Sequence, residues 1–155
     1  MRDIRTETAE LYERQADGLY RLAYARLLNA ADAEDAVAET FAKYLRKMPE
    51  FRDASHEKAW FLRVCINTCN DLARRRTVRA YTPLEELSEV LAAQEKDKSV
   101  LESVYALPEK YRMCVLLYYF EDFSVEETAK ALKISVSAVK MRLSRAREML
   151  KTVLA

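Results

Sequence analysis

An all-α chain made of two small helical domains joined by a linker is what this sequence predicts, on three observations. One Gly and three Pro among 155 residues leave too little turn material for a sheet, and no Asn-Gly dipeptide offers a hairpin. Ala, Leu, Glu, Lys and Arg, the strong helix formers, are abundant. Apolar residues keep a helical beat in both halves and lose it between them. Half of the chain is hydrophobic, so burying a core is feasible. The domains are predicted at residues 1–78 and 107–155, with a linker over 79–106.

Tyr12, Ala16, Leu19, Ala23 and Leu27 share one helical face, which predicts a first helix over residues 8–28. In the segment NAADAEDA, Asp32 is placed to cap a second helix, with Asp35 in its first turn near the positive end of the dipole. Val37, Phe41, Tyr44 and Met48 give that helix its buried stripe, and Pro49 ends it. FRDASHEK (51–58) reads as a loop. A long helix is expected over 57–76, with Leu62, Cys65, Ile66, Cys69 and Leu72 inward and Trp60, Arg63, Asn67, Asn70 and Arg74 on the other face.

The pattern then weakens. Residues 81–107 carry six acidic and two basic side chains, against 13 and 15 before them and six and nine after them. The linker is therefore expected to be acidic, partly helical and repelled by DNA. The second domain opens with LPEKYR, where Pro108 suits a first helical position. The apolar run 113–120 predicts a buried helix that Glu121, Asp122 and Phe123 interrupt. Ser124 and Glu127 have the spacing of a capping box, which starts a short helix over 125–132. Lys133, Ile134 and Ser135 form a tight turn, and Ser135 caps the last helix.

Two helices joined by so short a turn are a helix-turn-helix, and Ala129 is the small residue that lets the second pack closely on the first. In residues 135–151, Val139, Leu143, Ala146 and Leu150 form a docking stripe, while Lys140, Arg142, Arg145, Arg147 and Lys151 make the helix basic. Ser137, Lys140, Met141, Ser144 and Arg145 are left facing outward, a pattern suited to phosphates and base edges. A solvated basic helix is the plainer alternative. The capping box, short helix and turn that precede it favour the DNA reading.

Other chemistries find little support. Cys65, Cys69 and Cys114 give an odd count with no disulfide framework. Cys65 and Cys69 have the spacing of half a metal site, but they lie on an apolar stripe and His56 is the only histidine. Gly18, the only glycine, cannot make a phosphate-binding loop. No metal, no cofactor and no enzymatic activity are expected. No apolar run approaches the roughly 18 residues of a membrane span, and the charged N-terminus lacks a signal-peptide core, so a cytoplasmic protein without membrane insertion is expected.

Together the two halves resemble a small bacterial sigma factor of the extracytoplasmic-function group of the sigma-70 family. DAEDAVAETF (32–41) is similar to the polymerase-binding segment of region 2. WFLRVCINTCNDLARRR (60–76) matches that region's spacing of Trp60, Asn67, Asp71 and a closing Arg cluster. Residues 107–148 resemble region 4 almost end to end. Three positions depart from the family's usual pattern: Ala38 stands where Gln is frequent, Tyr44 replaces an apolar residue or Trp, and Lys133 occupies the place of a turn Gly.

The resemblance implies a specificity subunit that binds core RNA polymerase and directs promoter-specific initiation. Asp32, Asp35, Glu39 and Phe41 would dock on the clamp of the large polymerase subunit. Ser55, His56, Lys58, Trp60 and Asn67 would meet a flipped base of the downstream promoter box, with Arg63, Arg74, Arg75 and Arg76 on phosphates. Trp60 has core packing as its competing role. In the last helix, Ser137, Lys140, Met141, Ser144 and Arg145 would read the upstream box, and Arg142, Arg147 and Lys151 would hold phosphates. The linker would thread toward the polymerase cleft, or else serve only as a solubilising tether. Core polymerase, promoter DNA and an anti-sigma factor are the implied partners. A helix-turn-helix regulator acting without polymerase, and a module whose basic helix binds an acidic protein, are the competing readings. The first would have no use for a region 2 segment.

Overall fold

The computed structural model describes residues 3–75 and 95–154, and every regular element among them is helical. Two compact units divide the chain, Met1–Tyr81 and Thr82–Ala155.

The N-terminal unit packs three helices, each against the other two: α1 (Ile4–Leu27), α2 (Ala30–Lys47) and α3 (Ala54–Arg75). Each starts earlier than the apolar pattern alone indicates, because a polar cap lies upstream of it. Asp3 accepts a hydrogen bond from the Arg5 amide and starts α1. Asn29, not Asp32, caps α2: its side chain accepts from the Asp32 amide at 3.0 Å. Asp53 accepts from the His56 amide at 2.8 Å, so α3 begins at Ala54. The loop expected at 51–58 is thereby reduced to its first three residues. Ser55, His56 and Lys58 stand on the opening turns of a helix.

Leu19, Leu22, Tyr24, Phe61 and Leu62 are sealed from solvent, each contributing on the order of 1.5–3 kcal/mol of hydrophobic stabilisation. Of the expected α1 stripe, Leu19 and Ala23 are buried, whereas Tyr12 is half exposed and covers Phe41 with its ring at 5.0 Å. Met48, expected in the core, is exposed, because the helix ends there in the left-handed conformation. A half-buried carboxylate joins α1 to α3: Glu57 accepts from Arg14 at 2.8 and 3.1 Å and from Gln15 at 2.8 Å.

The C-terminal unit contains α4 (Glu95–Tyr105), α5 (Glu109–Val115) with a π-helical turn at its end (Leu116–Phe120), α6 (Val125–Leu132) and α7 (Val136–Leu154). α4 falls in the span expected to be linker, but it belongs to this unit. Leu101, Val104 and Tyr105, at helical spacing, are buried, and α4 packs on α5 and α7. The remainder of the expected linker, from residue 79 to 94, lies outside the described residues. The run 113–120 is helical as expected and buried through Leu117, but its last turn widens and leaves Tyr119 exposed.

With Gly18 spent inside α1, left-handed residues fall to other types: Leu28, Met48, Asp122 and Lys133.

Candidate nucleic-acid interface

The helix-turn-helix forms as its sequence indicates. In the capping box, the Glu127 amide donates to Ser124 Oγ at 3.0 Å, and the Ser124 amide donates to the Glu127 carboxylate at 2.9 Å. The turn closes with a Schellman motif. The Ile134 amide bonds to the Ala129 carbonyl at 3.0 Å and the Lys133 amide to the Lys130 carbonyl at 3.4 Å. Ser135 Oγ then accepts from the Ala138 amide at 3.0 Å and starts α7. Ala129, Val139, Leu143 and Ala146 are buried between the helices, and Leu150 is half-buried.

Opposite that stripe, Ser137, Lys140, Met141, Ser144, Arg145 and Lys151 share an exposed face. Met141 keeps 48% of its surface in solvent. Arg142 and Arg147 sit on the flanks of this face. Arg147 Nη1 donates to Tyr119 Oη at 2.5 Å. The Arg145 guanidinium holds the Tyr111 phenol of α5 below its usual range. Arg142, half-buried, lies by Cys114, whose thiol is pushed up by burial and partly eased back by that cation. Arg145, expected among the outward readers, is exposed and also acts on a tyrosine of α5.

In the N-terminal unit the downstream-box candidates gather at the start and along one side of α3. Ser55 is exposed. His56 accepts from the Arg52 amide at Nδ1, 3.0 Å away, which leaves Nε2 as its remaining hydrogen-bonding atom. Lys58 and Arg63 are half-buried, and Asn67, Arg74 and Arg75 are exposed. Arg74 pairs with Asp71 one turn back. Arg76 lies outside the described residues. Trp60 is half-buried in an aromatic cluster, 5.0 Å from Phe61, 5.9 Å from Phe51 and 6.2 Å from Tyr44, so it supports the loop as well as lining the surface. Asn70 accepts from Arg26 of α1 at 3.0 Å and helps fix this side of α3.

The acidic set on α2 splits. Asp35 and Glu39 are exposed, whereas Asp32 and Phe41 are only 7% exposed. Phe41 packs on Phe61 at 5.2 Å and serves the core, and Asp32 lies within the first turn that Asn29 caps. Both side chains are largely covered by the fold. Ala31, Ala38 and Ala42 share the helical face of Asp35 and Glu39 and leave the surface around these acids low; sequence spacing alone missed Ala31 and Ala42. Glu39 pairs with Arg46 at 2.9 Å, an exposed contact of about 0–1 kcal/mol that a partner's cation can replace.

Cys65 and Cys69 are fully buried. A hydrogen bond with Cys65, together with burial, holds the Cys69 thiol well above its usual range. Such thiols are poor nucleophiles and poor ligands. Among the described residues no helix is long and apolar enough to cross a membrane.

Comparison with known proteins agrees with both halves. The family model for Sigma-70 region 2 matches residues 11–79, and that for Sigma-70, region 4 matches residues 98–150. The RNA polymerase sigma factor SigV of Bacillus subtilis is 31% identical over 85% of this chain and 81% of its own length. The ECF RNA polymerase sigma factor SigE of Mycolicibacterium smegmatis is 30% identical over 94% of this chain and 61% of its own length. Among solved structures, the sigma factor RpoE of Bartonella quintana, crystallised with the anti-sigma factor NepR, shares the fold. Its TM-score is 0.70, with 22% identity over 99% of this chain and 98% of that one. CnrH, in complex with the cytosolic domain of CnrY, gives a TM-score of 0.64 with 25% identity over 97% of this chain and 88% of that one. The chain belongs to the extracytoplasmic-function group of the sigma-70 family, the RNA polymerase sigma factors that direct transcription initiation.

Proposed function

We propose that this sigma factor divides its work among three surfaces. The exposed face of α7 carries the proposal: a helix whose apolar stripe is buried, whose outward residues are small, polar or thioether, and whose flanks are cationic. Ser137, Lys140, Met141 and Ser144 read base edges of the upstream box in the major groove, where Lys140 suits guanine acceptors and Met141 a thymine methyl. Arg142, Arg145, Arg147 and Lys151 hold phosphates. At the start of α3, Ser55, His56 and Lys58 receive a base of the downstream box, next to Trp60 and Asn67. Arg63, Arg74, Arg75 and Arg76 follow the backbone. On α2, Asp35 and Glu39 dock on cationic residues of core polymerase, while Asp32 and Phe41 hold the helix in place from beneath.

The protein acts in the cytoplasm as a non-catalytic subunit. An anti-sigma factor is its expected inhibitor, a reading supported by the structurally similar RpoE of Bartonella quintana, which binds the anti-sigma factor NepR. Binding to purified core polymerase without DNA tests the docking surface, with co-elution as the readout. The wild-type chain should co-elute one to one, and the Asp35→Lys, Glu39→Lys double variant should bind at least tenfold more weakly. Equal binding by both would remove the docking role from α2. No binding by the wild type would favour a regulator that acts on DNA alone.

A further inference from the structure

We propose that Tyr119 is a positioning residue for DNA binding: its hydroxyl holds the Arg147 guanidinium on the flank of α7, set in advance for a backbone phosphate. The inference rests on the reading of α7 as the DNA-facing helix and adds to it a residue outside the helix-turn-helix.

Three observations support it. Arg147 Nη1 donates to the Tyr119 hydroxyl at 2.5 Å, so the long side chain is anchored at its tip. Tyr119 is 47% exposed although Val115, Leu116 and Leu117 just before it are buried. On α-helical spacing Tyr119 would lie on the buried Val115 face. The wider π turn, in which the Glu121 amide closes onto the Leu116 carbonyl at 3.0 Å, brings it to the surface instead. The ring is itself braced, edge-on to Tyr118 at 4.9 Å.

The chemistry fits a phosphate. A guanidinium has five N–H donors and this contact uses one, so a bidentate pair with a phosphate remains open. An exposed Arg normally gives up side-chain freedom when it binds. Here the rotamer is already chosen, and that ordering cost falls outside the binding step. The Tyr119 hydroxyl accepts from Arg147 and keeps its own proton to donate to a phosphate oxygen.

A phosphate contact acts on any sequence, so a labelled random-sequence duplex is a suitable probe, bound by the full chain and followed by anisotropy across a salt series. Tyr119→Phe keeps the ring and removes the hydroxyl. It should weaken binding roughly 2- to 10-fold with an unchanged salt slope, because the Arg147 charge remains. Arg147→Ala should weaken binding and flatten the slope by about one phosphate. Tyr119→Phe should then add nothing in the Arg147→Ala background. Wild-type affinity in Tyr119→Phe, or a full second loss on top of Arg147→Ala, overturns the positioning role and leaves the reading of α7 standing. Wild-type affinity and slope in Arg147→Ala overturns both the phosphate role of that flank and this inference.

Discussion

Lys133 adopts φ 59°, ψ 44° at the position where a Schellman motif normally places Gly. A side chain there costs on the order of 1 kcal/mol, because its Cβ crowds the following carbonyl. Lys133→Gly should therefore raise the unfolding free energy of the C-terminal unit by up to about 1 kcal/mol, read as a later denaturant midpoint at unchanged slope. A midpoint that does not move would mean that the Lys side chain makes compensating contacts. Glu57 gives a second prediction at this scale. Burial pushes its carboxyl pKa up, but hydrogen bonds from Arg14 and Gln15 outweigh burial, and the net shift is down from 4.5. Its folded pKa is thus below its unfolded one. The stabilisation is complete above about pH 4.5 and is lost as the pH falls through the lower folded value. Arg14 is half exposed, so the contribution is about 1 kcal/mol. The stability difference between wild type and Glu57→Gln should shrink steadily below about pH 4.5. A constant difference down to pH 3 would contradict the ion pair. The capping box was legible because both partners lie within four residues of each other. The Glu57 pair was not, since its partners are more than forty residues away and only the packing of α1 on α3 joins them.

At the scale of the element, α7 combines two tasks on opposite sides, and the sequence separates them by period alone. The buried stripe was legible residue by residue, as were the exposed Ser137, Lys140, Met141 and Ser144. The flanks were not. That Arg142 lies by Cys114 and Arg147 bonds Tyr119 depends on the helix before α6, which the α7 sequence does not contain. This division predicts different mutant behaviour. Lys140→Ala should cost about 1–3 kcal/mol on the preferred upstream sequence and relax the preference there. Arg147→Ala should weaken all sequences evenly. Equal losses on every sequence for both variants would sink the assignment. Helix starts show the same limit on what local pattern reveals. Asp3, Asn29 and Asp53 each lie before the first apolar residue of their helix, so a reading keyed to apolar spacing begins the helix too late. The error mattered at α3, where it turned three candidate DNA contacts on a helix into loop residues.

At the scale of the whole molecule, two helical units were legible from the loss of pattern between them, but the boundary of the second was not. The charge of residues 81–107 made the entire span resemble a tether. Within it, Leu101, Val104 and Tyr105 carry a short apolar stripe that buries completely only when α5 and α7 are present to receive it. Such a stripe is easy to discount in an acidic context, because a helix of eleven residues is marginal by itself and is held by packing rather than by propensity. The packing makes a definite prediction. Leu101 is 4% exposed, so Leu101→Ala in the intact chain should leave a cavity and cost the C-terminal unit about 2–5 kcal/mol. Hydrogen exchange resolves that loss by element: amides of α5, α6 and α7 should all lose protection together, because α4 closes the core they share. If α4 were part of a tether, the substitution would touch only its own amides and leave α7 as protected as before. That result would move the boundary back to about residue 107 and make the burial of Leu101 energetically empty. Loss of protection through α7 would instead mean that the helix presented to DNA depends on the segment that leads into it from the linker.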